Sequence, residues 1–165
     1  MTTSSSSDCL GVVLFVVRRS ADTHQYLLVR RSGGRFAGQW WPVAGTSRPD
    51  EPSHRTALRE LREETGLVPI SLYQTQLQAP HSGERGFLSI FVAFVEASAE
   101  VVLNYEHDAS RWLSATGLKS LIPVQTHRAI DAIEELVLSP SLDGAVRVWP
   151  DAAMGAPPEE REGER

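Results

Sequence analysis

Residues Gly45 to Leu67 constrain this chain more than any other stretch. Glu60, Glu63 and Glu64 stand three and four positions apart. In a helix that spacing brings all three carboxylates to one side. Like charge gathered there is unfavourable, and the natural remedy is a divalent cation with oxygen ligands. Asp50 or Glu51 is expected to cap this helix, with Pro52 at the first helical position and Gly66 as its stop. Ala57, Leu58 and Leu61 form a neighbouring apolar face, predicted to pack on a sheet while the carboxylates look into a cleft.

The 165 residues suit one domain with a proper core. A hydrophobic share of 41% and a charged share of 22% are ordinary for a soluble globular protein. The net charge of −5 argues against non-specific attraction to nucleic acid, so no stable nucleic-acid binding is expected. A polyanionic substrate must instead be met by local arginines or a metal. Cys9 is the one cysteine, so no internal disulfide can form, and a cytoplasmic location is expected. The apolar run Leu10 to Val17 is too short to span a membrane. Met1 to Asp8 carries no basic residue and reads as a disordered leader, not a secretion signal. From Pro150 the chain turns to Pro, Gly, Glu and Arg, and residues 150–165 are expected to be a disordered tail. The single domain is thus placed at residues 9–149.

Strands are predicted at Leu10–Val17, Gln25–Arg31, Gln39–Val43, Ile70–Leu77 and Gly86–Glu96, with short ones at Val101–Leu103, Ser110–Leu113 and Val146–Trp149. The run from Gly86 to Glu96 is apolar on both alternating faces and so belongs in the middle of the sheet. Ala115–Leu121 reads as a short helix. Gln125 to Leu138 carries Ile130, Ile133, Leu136 and Val137 at helical spacing. Strands flanking two substantial helices predict an α+β layered domain with helices on both faces.

The framed stretch resembles the Nudix box, G-x5-E-x7-R-E-U-x-E-E-x-G-U, where U is a bulky aliphatic residue. Gly45, Glu51, Arg59, Glu60, Leu61, Glu63, Glu64, Gly66 and Leu67 fill every defined position. From average residue frequencies such a match arises by chance on the order of once in ten million chains. The resemblance to Nudix hydrolases implies the Nudix fold, an α/β/α sandwich with a mixed β-sheet. It also implies a Mg²⁺-dependent pyrophosphohydrolase, with Mn²⁺ as substitute, acting on a small-molecule nucleotide. In the family the residues matching Glu60 and Glu64 are the core metal ligands. Glu63 often joins them, and the carbonyl before the box glycine, here that of Ala44, contributes too. The residue matching Arg59 orients a catalytic glutamate, and Glu51 tethers the loop–helix–loop.

Outside the box, Glu106-His107 followed by Trp112-Leu113 is similar to an element of family members acting on nucleoside triphosphates and of some dinucleoside tetraphosphate hydrolases. That likeness gives Glu106 the role of extra metal ligand or general base. The pattern is nearest to the dATP and dihydroneopterin triphosphate pyrophosphohydrolases, and the first expectation is cleavage of a nucleoside triphosphate to monophosphate plus pyrophosphate. Dinucleoside polyphosphates, nucleotide sugars and RNA caps are the alternative substrates. A non-catalytic nucleotide-binding regulator is disfavoured, because such domains usually lose box glutamates. Family members are often dimers, so a homodimer is among the assemblies to consider. Arg30, Arg31, Arg35 and Arg85 are the phosphate-contact candidates, and strand alternation lets at most one of Arg30 and Arg31 face the cleft. Phe87 is a candidate for stacking on a base, together with Phe36, Trp40 and Trp41. His54, His81 and His127 show no ligand spacing and are expected to be surface or satisfied histidines.

Overall fold

The structure, a computed structural model, describes residues 8–81, 85–139 and 141–150. The expected leader and tail therefore lie almost wholly outside the described residues. Two long strands open the fold, β1 (Cys9–Arg19) and β2 (His24–Arg31). They pair as a hairpin only near its turn, where Val17, Arg18 and Arg19 meet Tyr26, Gln25 and His24. Beyond that point the two strands diverge. Two short strands, β3 (Trp40–Trp41) and β4 (Val43–Thr46), fill the fork. β3 pairs with β2, and β4 pairs antiparallel with the first half of β1. A single strand over Gln39–Val43 was the sequence expectation. Pro42 splits it instead, because proline has no N–H to give to a ladder.

The box helix, α1, spans Ser53–Thr65. After it come β5 (Ser71–Pro80), β6 (Phe87–Val95) and β7 (His107–Leu113). Next are α2 (Ala115–Leu121), α3 (His127–Leu138) and β8 (Ala145–Trp149). β6 runs parallel to β1 and antiparallel to β5, so the sheet is mixed. β7 adds to the far side of β2, and β8 to β5. β6 is central and buried along most of its length, as its two-faced apolar sequence predicts. Val101–Leu103 is not a strand. Its backbone serves the end of α1 instead, with Val102 N–H donating to the Thr65 carbonyl at 2.8 Å. That carbonyl would otherwise be one of the unsatisfied groups at a helix C-terminus.

Strand alternation divides the core in two. Val12, Leu14, Val16, Leu27, Val29, Phe91 and Ala93 face α1 and bury Ala57 and Leu61. Val13, Phe15, Val17, Tyr26, Leu28, Ile90 and Val92 face α2 and α3 and bury Leu118, Ile130, Ile133 and Val137. Helices thus cover both faces of the sheet, which is the α/β/α sandwich expected. No helix among the described residues is long and apolar enough to cross a membrane.

Glycine decides one close approach in this frame. Gly11 on β1 pairs with Thr46, and Val12 with Gly45. A methyl group added at Gly11 would overlap the Gly45 carbonyl oxygen, which is backbone and cannot swing aside. The strand pair that carries the start of the box is set by that missing side chain.

Candidate active site

α1 begins later than its acidic residues suggested. Pro52 holds the N-cap position, in extended conformation and without a side-chain cap. Asp50 sits in the left-handed region at φ 60°. Glu51 is spent elsewhere: its carboxylate takes Arg59 Nε and Nη2 at 2.9 and 2.8 Å, and the Thr56 hydroxyl at 2.7 Å. A fork-to-fork ion pair two turns along the helix outcompetes a lone helix-terminal N–H for the same oxygens. Gly66 ends the helix in the left-handed conformation, at φ 69°.

Arg59 is the hub of this segment. Besides Glu51 it donates to Glu60 at 2.8 Å, to Glu63 at 3.3 Å and to the Thr46 carbonyl at 3.1 Å. Its side chain is only 17% exposed. Glu51, bound by Arg59, is held down to about 2. A carboxyl whose folded value is depressed adds stability above its unfolded value and loses it as pH falls through the folded one. We therefore expect Glu51→Gln to cost about 2 kcal/mol at neutral pH. That cost should shrink as pH falls from 4.5 towards 2, the window between the ordinary and the depressed value. Urea unfolding of both proteins across that range reads it, and a difference that does not change with pH would show that the ion pair contributes nothing.

A cleft of about 710 Å³ opens beside α1. Glu60, Glu63, Glu64, Ala44 and Glu106 all line it, so the structure brings these sequence candidates together. Glu64 is almost fully buried, and its Oε2 has no hydrogen-bond partner. Burial pushes its carboxyl up to about 8; the neighbouring charges of Glu60 and Glu106 add to the rise, and Arg31 opposes it. Burial also raises Glu60, against the pull of Arg59 and with help from Glu63 and Glu106. Gly45 leaves room for this arrangement, since a methyl group there would overlap the Glu60 carboxyl.

Arg31 lines the cleft and reaches Glu106 at 3.1 Å. Arg30 turns away, bonds Asp108 at 2.7 Å and lies over the Trp40 ring. A slip of register in the β2–β7 ladder falls between these two arginines, so that Arg31 faces His107 and not Asp108. Such bulges re-aim side chains beside active sites. The backbone at Glu106 is pinned by its own N–H to Asn104 Oδ1 at 3.1 Å and by Ser32 N–H to its carbonyl at 2.9 Å.

The remaining candidates are placed differently. Arg35 stacks over Phe36 and is not among the lining residues, whereas Phe36 is. Phe87 is also outside the lining; Leu88, one step along β6 and so on the opposite face, is inside. Trp41, one of the stacking candidates, lines the cleft; His81, expected to be a surface or satisfied histidine, lines it too, and its buried Nδ1 has no partner. His107 went unassigned and lines it as well. Burial, with Arg31 assisting, holds His107 below the ordinary histidine value. His127 does behave as a satisfied histidine, with its Nε2 3.0 Å from the Lys119 carbonyl. A smaller hollow of about 300 Å³ lies among Arg18, Arg19 and His24 at the β1–β2 turn. No box residue reaches it, so it has no part in the box chemistry.

The cleft's donor set suits a hard divalent cation. Several carboxylates share a partly desolvated space, and one buried oxygen has nothing to accept from. Among the described residues no three acidic, histidine or cysteine side chains already converge as a ligand set. Glu60 is held by Arg59 and Glu106 by Arg31, so a cation has to compete with both arginines for those oxygens.

Comparison with known proteins bears on the family and the fold. Residues 10–134 match the family model of the NUDIX domain. The chain is 30% identical over 113 residues to the bis(5'-nucleosyl)-tetraphosphatase [asymmetrical] of Mus musculus, a match covering 62% of this chain and 76% of that protein. A C. elegans Ap4A hydrolase structure superposes with a TM-score of 0.68 at 18% identity, covering 77% of this chain and 97% of the other. The E. coli dihydroneopterin triphosphate pyrophosphohydrolase superposes with a TM-score of 0.57 at 23% identity, covering 76% and 97%. At these identities the superpositions speak for the fold. The family match spans most of the chain, and with it the chain belongs to the NUDIX family, as a hydrolase of pyrophosphate bonds.

Proposed function

We propose that this Nudix hydrolase uses Mg²⁺ to cleave a dinucleoside polyphosphate, water entering at one phosphorus so that two unequal mononucleotides leave. The observation that carries the reading is one cleft lined by both carboxylates and aromatic rings. Glu60, Glu63 and Glu64 meet there with Glu106 and Arg31, while Phe36 and Trp41 line the same space. The likeness to the mouse enzyme gives the substrate class. A nucleoside triphosphate, cut to monophosphate and pyrophosphate, is the second reading; the Glu106-His107 to Trp112-Leu113 element is compatible with either substrate class.

Glu60 and Glu64 would hold the cation, with Glu63, Glu106 and the Ala44 carbonyl as further oxygen donors. When bound, the cation neutralises phosphate charge and lowers the pKa of a coordinated water. The protein supplies the rest. Arg59 holds Glu60 in place from one side of the site. Arg31, freed from Glu106, meets the phosphate chain, for which a guanidinium fork is well shaped. Glu106, released by that exchange, accepts the proton of the attacking water. Phe36 and Trp41 take the nucleoside end by stacking.

A panel of dinucleoside polyphosphates, nucleoside triphosphates, nucleotide sugars and capped RNA, each with Mg²⁺ and with products identified by mass, tests the reading. The expected result is fastest turnover of a dinucleoside tetraphosphate to a triphosphate and a monophosphate. Faster release of pyrophosphate from a nucleoside triphosphate would establish the second reading. No cleavage across the panel with Mg²⁺ or Mn²⁺ would overturn both.

A further inference from the structure

Two buried polar groups face one another in the cleft without bonding. His107 Nε2 lies 3.9 Å from Glu64 Oε2, and each side chain is only 4% exposed. Glu64 Oε2 has no hydrogen-bond partner, and neither has His107 Nδ1. Buried polar atoms nearly always find partners, and one left unpaired costs on the order of 1–3 kcal/mol. The pair is therefore set by something other than packing alone.

The backbone around both groups is fixed. His107 opens β7, sits opposite Arg31, and donates its N–H to the Asn104 carbonyl at 3.3 Å. Asn104 N–H in turn reaches the Glu64 carbonyl at 3.4 Å, which ties this loop to the last turn of α1. Glu64 Oε2 looks across a gap about 1 Å longer than a hydrogen bond, at an imidazole nitrogen.

We propose that His107 is a positioning residue for Glu64, its Nε2–H donating to Oε2 and fixing the plane of that carboxylate when the site is loaded. This rests on the assignment of Glu64 as a ligand in the proposed function. A carboxylate whose plane is fixed by a donor presents its remaining lone pairs in one direction, which is what an ion of strict octahedral preference requires. Arg59 holds Glu60 from outside the cleft; His107 would hold Glu64 from within the fold.

Mn²⁺ binding followed by electron paramagnetic resonance tests the proposal on His107→Phe, His107→Gln, Glu64→Gln and the His107→Phe/Glu64→Gln double variant. Phenylalanine keeps the ring and removes both nitrogens; glutamine restores an N–H. His107→Phe is expected to weaken Mn²⁺ binding by about 10–100-fold and to lower kcat while KM stays within about twofold. His107→Gln should recover part of both losses. The double variant should be no worse than Glu64→Gln alone, because His107 acts only through Glu64. Normal Mn²⁺ binding by His107→Phe, with binding lost in Glu64→Gln, would overturn the proposal and leave the proposed function standing. Normal binding by Glu64→Gln would instead overturn Glu64 as a ligand. Should His107→Phe fail to fold, nitrogen-edited NMR of the imidazole in the unmutated protein decides. A ring protonated at Nε2 is expected, and one protonated at Nδ1 is fatal to the idea.

Discussion

Glu64→Gln is expected to lower kcat at least about a hundredfold, equivalent to about 2.7 kcal/mol of transition-state stabilisation. The substitution keeps shape and volume and removes the one charge. Glu64 lies at the wall of the cleft, almost wholly buried, among the other carboxylates. Glutamine offers a neutral carbonyl there, a much weaker donor to a hard divalent ion. Folding should not suffer, because a buried carboxylate with no counter-ion is itself unfavourable. Its raised value records that penalty. The metal-free variant should therefore melt at or above the temperature of the metal-free parent. Steady-state kinetics with Mg²⁺ and a thermal melt in chelator check both halves. A variant that turns over at nearly the parent rate would remove Glu64 from the chemistry. A variant that loses activity because it unfolds would make Glu64 a structural residue.

Gly11→Ala is expected to destabilise the fold severely. The new carbon would meet the backbone of β4, and no rotamer relieves it. The sheet must then open between β1 and β4, at the pairs Gly11–Thr46 and Val12–Gly45. Such overpacking costs about 3 kcal/mol, or a fall in melting temperature of about 10 °C for a chain of this size. Activity should fall as well, because β4 carries Ala44 and Gly45 at the cleft wall. Differential scanning calorimetry alongside the kinetic assay reads this. A melting temperature within about 2 °C of the parent would mean that the strands part easily and that the close approach is incidental.

Much of this protein could be read locally. The three-and-four spacing of Glu60, Glu63 and Glu64 needs only the helical repeat to become a common face. The alternation along β6 needs only the strand repeat to place that strand in the middle of the sheet. Gly66 as a helix stop and Ala57 with Leu61 as a buried stripe follow from equally short-range rules, and the structure agrees. Errors came where a residue had a distant competitor. Glu51 has the look of a cap, but Arg59 lies within its reach and binds it more strongly. Val101–Leu103 has the composition of a strand, but the open carbonyls of α1 claim its backbone.

The amino-acid order alone determined the acidic face of α1, which needs only the helical repeat, and through its likeness to the Nudix box it pointed to the hydrolysis of pyrophosphate bonds. Tertiary structure decided which other side chains share that site. Arg30 and Arg31 are neighbours in sequence, and one register slip against β7 separates their fates. His107 reaches Glu64 only because β7 lies against β2 and the loop before it is tied to the end of α1. Short-range periodicity fixes which way a side chain leaves its own element; only long-range pairing fixes what it meets there.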